Sequence, residues 1–169
     1  MSYRETLAKQ AGDVLAPGEF YVAAAKYLPR GASEKRAAGG VFGAIGSVVA
    51  GSIGSTQVVG GRSLPHNLAM ALTNQRLLVF ELNQGFERVI GNTHSIPLPD
   101  VLDVKCEVGR KLGFRVTYVE IALADGSQIS VEAVSPHSKD GESFAQALDG
   151  SRRASASSPG SGPPAGWGG

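Results

Sequence analysis

Apolar and polar positions along the chain follow two periodic patterns, and one stretch fits neither. In Gln128–Val134, Ile129, Val131 and Ala133 alternate with Gln128, Ser130 and Glu132, the period of a strand with one wet face. Val116–Ala124 reads as its partner, because the Asp125-Gly126-Ser127 junction is a strong hairpin signal. Leu68–Leu72 and Leu77–Leu82 flank the turn-like Thr73-Asn74-Gln75-Arg76 and predict a second hairpin, closed by Asn83-Gln84-Gly85. Residues 95–107 read as extended, but Pro97 and Pro99 confine the first half to a sheet edge or bend. Ile96 and Leu98 would share one face, continued by Leu102, Val104 and Cys106. Glu19–Leu28 follows the Pro17-Gly18 turn and is aromatic enough to begin a strand, although its three consecutive alanines also allow helix. Helical spacing predicts a short helix over residues 2–12, with Ser2 as cap and Tyr3, Leu7 and Gln10 on one face. A second is predicted over Lys139–Leu148, with Phe144 and Leu148 facing the sheet and Gly150 as its stop.

Residues 37–61 break the pattern. Lys35 and Arg36 precede them, Arg62 follows, and no charge lies between. Small residues recur every four positions at Gly39, Gly43, Ser47, Gly51 and Ser55, beside bulkier Val41, Ile45, Val48, Val49 and Ile53. A helix here would offer a flat strip for close backbone packing, in lipid or against a copy of itself. Glycine costs ~1 kcal/mol at each interior helical site, which favours a loosely packed insert in water. A structured part of the core is the third reading. Gly39, Gly43, Ile45, Ser47, Val49, Gly51 and Ile53 are therefore the candidates for membrane contact or self-association.

Charge narrows the partners. Lys and Arg number 16 against 15 Asp and Glu, so no broad cationic footprint for nucleic acid is expected. The single cysteine, Cys106, excludes an intrachain disulfide, and its place in an alternating segment predicts a buried, inert thiol. The polar start, MSYRETLAKQ, lacks the apolar stretch of a secretion signal, so the expected compartment is the cytoplasm, with membrane association if residues 37–61 enter lipid. The Gly, Pro and Ser-rich end, residues 149–169, is too poor in apolar residues to repay ordering and is expected to be disordered, with Trp167 exposed in it. The resulting organisation is an N-terminal segment or short helix (1–13), a domain over 14–148 that carries the glycine-rich insert 37–61, and the tail.

Little in the chain points to chemistry. His66, His94 and His137 are far apart and show no metal-ligand spacing. Asp100, Asp103 and Glu107 form the best carboxylate group, and a solvated strand face accounts for them. The glycines of 39–61 lack the Lys-Ser/Thr hook of a nucleotide loop. No catalytic, cofactor or metal residues are therefore expected, and an enzyme would require histidine, cysteine and carboxylates to converge in one pocket. Two features remain for recognition: Arg76 with Arg110, Lys111 and Arg115 as a patch for an anionic ligand, and Ser155, two positions after Arg153, as a phosphorylation site.

The run Ala71-Leu-Thr-Asn-Gln-Arg-Leu-Leu-Val-Phe-Glu81 resembles a signature of bacterial pleckstrin-homology-like (PH-like) and GRAM-like domains. The Ile96–Lys105 strand, the Asp125-Gly126 hairpin and the helix ending near Leu148 fit the same resemblance, which covers roughly residues 14–148. It implies a mainly β fold, a small open barrel capped by a C-terminal helix. In it Thr73 and Asn74 would shape the turn, Arg76 would stand at a strand entry, and Leu77 and Val79 would face inward. It also implies a non-catalytic binding or adaptor module that contacts a protein partner or itself. A peripheral membrane module anchored by the insert is the alternative, with Lys35, Arg36 and Arg62 near anionic headgroups.

Overall fold

A computed structural model describes residues 3–31, 57–83, 85, 88–111 and 113–157. The long strands are β1 (Tyr21–Pro29), β4 (Leu68–Thr73), β5 (Arg76–Leu82), β6 (Val89–Pro97), β7 (Val101–Lys111), β8 (Phe114–Leu123) and β9 (Gln128–Val134). They form one antiparallel sheet in the order β6-β5-β4-β1-β9-β8-β7. Strand β1 is the seam. Its residues from Tyr21 to Tyr27 pair with β4, and Leu28 and Pro29 pair with β9, so one strand serves both halves. The sheet stays open, with β6 and β7 at its two ends.

The two predicted hairpins form where the periodicity put them. Thr73 and Arg76 bound a two-residue turn, and Leu77 and Val79 lie in the inner core. Asp125 builds the β8–β9 turn by accepting hydrogen bonds from the Ser127 amide and hydroxyl, at 2.8 and 2.6 Å. Pro97 and Pro99 bring a 3-10 turn at Leu98–Asp100, where the chain leaves β6 and enters β7.

A short hairpin, β2 (Val58–Val59) and β3 (Arg62–Ser63), turns through Gly60 and Gly61, both at positive φ (54° and 77°). Two successive positive φ angles suit the tight hairpin turn that favours glycine. This end of the 37–61 stretch is therefore structured core: Val59 is buried with Leu64, and the Gln57 amide exchanges two 2.7 Å hydrogen bonds with the Ser130 backbone.

Helix α1 (Tyr3–Ala11) lies on the outer face of the first half of the sheet. Leu7 and Ala11 pack there with Tyr21, Ala69, Ala71, Leu78, Phe80 and Leu82. Strand β4 is consequently buried at all six positions. Its Leu68, Met70 and Leu72 fill the inner core, and the small Ala69 and Ala71 let α1 approach from outside.

Helix α2 (Ser138–Ser157) closes the inner side. Phe144, Ala145 and Leu148 join the core, and the Phe144 ring meets Tyr27 edge-on at 5.8 Å. The Tyr27 hydroxyl donates to the Gly141 carbonyl at 2.9 Å. A side chain at Gly141 would place its Cβ 2.7 Å from that of Ala133, so glycine is what lets this turn lie against β9. Contrary to the expected stop at Gly150, α2 continues to Ser157, and residues 149–157 are helical instead of disordered. Asp149 pairs with both Arg152 and Arg153 at 2.7 Å, and Arg152 also donates to the Leu102 carbonyl of β7. Those ties work against the ~1 kcal/mol helical cost of Gly150.

Candidate binding surface

Arg76 stands apart from the other three cations, engaged in contacts within the chain. Its Nε and one Nη2 hydrogen donate to the two carboxylate oxygens of Glu19, each at 2.8 Å. Its remaining contacts are with the Val14 carbonyl at 3.1 Å and the Ser95 hydroxyl at 2.9 Å. Thr73 donates its hydroxyl proton to Glu19 at 2.7 Å and accepts from the amides of Gln75 and Arg76. Asn74 accepts from the Phe20 amide and donates to the Gly18 carbonyl. The Thr-Asn-Gln-Arg segment is thus a lock that fastens residues 14–20 to the β4–β5 turn. The Arg76 hydrogen bond holds the Glu19 carboxyl at about 2, overcoming the upward push of burial, with the Ala16 amide and Thr73 assisting. Sequence reading missed Glu19, which sits 57 positions from its partner.

The other three predicted cations do come together, at the β7–β8 hairpin, where Arg110 pairs in register with Arg115 and Lys111 with Phe114. Two of them are engaged: Arg115 in an ion pair with Glu142 of α2, and Lys111 at 3.6 Å from Glu132. Glu132 was expected on a wet face, yet its side chain is fully buried. Arg110 is exposed and has no acidic partner among the described residues. A hollow of about 310 Å³ lies between Val108, Gly109, Arg110 and Arg115. Val108, 48% exposed, lines it; Phe114, 59% exposed, stands at the same hairpin opposite Lys111, and Leu102, 55% exposed, lies at the other end of β7.

Cys106 is exposed, not buried as its alternating segment suggested. It does share the parity of the core side, since it pairs in register with the core residue Val119. What alternation could not convey is that β7 is the last strand, with little beyond it to cover that side. Partial desolvation and nearby Glu142 raise its thiol pKa. Leu102 likewise leaves the predicted face, because it forms a bulge between Val101 and Asp103.

A larger groove of about 740 Å³ opens between the β2–β3 hairpin, β6 and the β8–β9 turn. Arg62, His94, Asp100 and Asp125 line it. His94 is itself buried, its ring within hydrogen-bonding distance of the Thr93 hydroxyl (3.0 Å) and the Arg62 carbonyl (3.3 Å). Asp125 is committed to Ser127, and Arg62 donates to the Thr93 carbonyl at 3.4 Å. Among the described residues no three His, Cys, Asp or Glu groups gather as metal ligands.

Ser155 is exposed on the last turns of α2, where its hydroxyl donates to the Ser151 carbonyl at 3.0 Å. The candidates Gly39, Gly43, Ile45, Ser47, Val49, Gly51 and Ile53, together with Trp167, lie outside the described residues. No described helix is long and apolar enough to cross a membrane.

Two solved structures are similar to this chain. One is the pleckstrin homology domain from Shewanella amazonensis SB2B, 12% identical, with a TM-score of 0.44, covering 85% of this chain and 94% of that one. The other is the hSac2 domain from the human phosphoinositide phosphatase Sac2, 10% identical, with a TM-score of 0.49, covering 90% and 82% respectively. Neither likeness bears on what this chain binds. No family model and no curated protein matches the sequence.

Proposed function

We propose that the chain is a non-catalytic binding module of the bacterial PH-like and GRAM-like kind, cytoplasmic, which contacts a protein partner or a copy of itself. The Thr73–Arg76 hairpin and the helix lying across an open sheet support the family reading. The observation that carries the binding reading is the end of the sheet at β7 and β8. There an eleven-residue edge strand carries the uncovered Val108 and the exposed Arg110 at its hairpin end, next to the uncovered Phe114 of β8, and the uncovered Leu102 at its other end. Apolar anchors beside an arginine are the composition of protein-contact surfaces.

Photo-crosslinking in cells tests this. A photoreactive residue replaces Phe114 in the full chain and, as control, the exposed Glu81 on the first half of the sheet. Protease-sensitive adducts from position 114 and none from position 81 are the expected result. Vesicle co-sedimentation examines the alternative. If the full chain pellets with mixed neutral and anionic phospholipid while a chain lacking residues 37–61 does not, the protein-contact reading gives way to the membrane one.

A further inference from the structure

Strand β7 pairs with β8 along one edge, and among the described residues no strand pairs with the other. Such an edge is a template for further pairing, and proteins that avoid pairing place charges along it. On β7 the charges alternate in sign: Asp103, Lys105, Glu107, then Arg110 and Lys111. That order blocks most antiparallel self-pairings and favours one.

We infer that a second copy of this chain docks on β7, antiparallel, about a two-fold axis at Cys106. The inference rests on the self-contact arm of the proposed function. Cys106 is the midpoint of Val101–Lys111, so this register overlaps the whole strand. It sets Lys105 opposite the partner copy's Glu107 and Val104 opposite its Val108, and the symmetry makes each pair twice. Cys106 meets its own copy. Directly opposed charges of opposite sign and β-branched pairs each contribute ~0.2–1 kcal/mol. Moving the axis to Lys105 sets that lysine against itself and Asp103 against Glu107. Moving it to Glu107 opposes two glutamates, and such like-charge pairs destabilise. An axis at Val104 would pair Asp103 with Lys105, but it sets the Leu102 bulge, whose carbonyl Arg152 already holds, two positions from the axis, whereas the axis at Cys106 leaves that bulge at the ends of the ladder. Val108, 48% exposed in the single chain, is covered by the partner copy's Val104 in the chosen register.

The test uses the full chain, with light scattering for mass and circular dichroism for fold. A dimer is expected. Lys105→Glu and Glu107→Lys should each raise its dissociation constant roughly tenfold or more, and the double variant should restore it. Diamide, which takes two electrons and two protons from a pair of thiols, should link the native dimer through Cys106 and leave Cys106→Ser unlinked. Either kind of antiparallel pair brings Cα atoms to about 4.5–5.5 Å, within the span of a disulfide. A chain that remains monomeric, or a dimer indifferent to both single charge changes, overturns the inference. A protein adduct of foreign mass at position 114 in that case leaves the partner-binding reading standing, and no adduct at all removes both.

Discussion

The two halves of the sheet are finished differently. In the half formed by β6, β5, β4 and β1, helix α1 covers the outer face of β4 and β5, leaving Ile90 of β6 exposed, and the Glu19–Arg76 lock ties the incoming chain to the β4–β5 turn. In the half formed by β9, β8 and β7, the outermost strand keeps apolar side chains and an arginine at the surface. The same kind of residue has opposite uses in the two places. Arg76 is spent on a buried carboxylate, while Arg110 is exposed and has no acidic partner among the described residues. A cation in a sequence motif is therefore no guide to ligand binding until its partner is known.

The largest expected break in this contrast is Arg76→Ala. It leaves the fully buried Glu19 side chain without its counter-charge and should cost about 3–5 kcal/mol in urea unfolding. Arg115→Ala removes a more exposed ion pair from the open half and should cost no more than about 1 kcal/mol in the same assay.

Leu7→Ala should come next, at about 2–5 kcal/mol, because Leu7, on the sheet-facing side of α1, is 1% exposed. A loss of less than 1 kcal/mol would mean that α1 does not seal the first half in solution.

Acid should weaken the sealed half in particular. Arg76 holds the Glu19 carboxyl at about 2, below the ordinary 4.5, so its contribution is complete above pH 4.5 and is lost as pH falls toward 2. Urea titrations across that window should show a steeper loss for the native protein than for Glu19→Gln.

Two glycines of α2 sharpen the picture at smaller scale. Gly141→Ala crowds Ala133 and Tyr27 and should destabilise by about 1–3 kcal/mol. Gly150→Ala has nothing within 4 Å and should stabilise by about 0.5–1 kcal/mol, read as a rise in melting temperature. Phe114→Ser, on the open half, should change stability by no more than about 0.5 kcal/mol.

The strands and turns were legible because their cause is local. Period-2 alternation marks Ile129, Val131 and Ala133 as one face, and Asp125-Gly126 turns the chain whatever surrounds it. The sequence alone therefore determined the hairpins and the helix that carries Phe144 and Leu148. Alternation does not report what covers a face or which strand stands last. For that reason Cys106 emerged exposed, Glu132 buried and β4 buried on both sides. Only the tertiary structure could bring Glu19 to Arg76 and hold α2 helical past Gly150. The first joins groups 57 positions apart, whose meeting is set by strand order and leaves no mark in local composition; the second adds to the local Asp149–Arg152 and Asp149–Arg153 pairs the long-range hydrogen bond from Arg152 to Leu102.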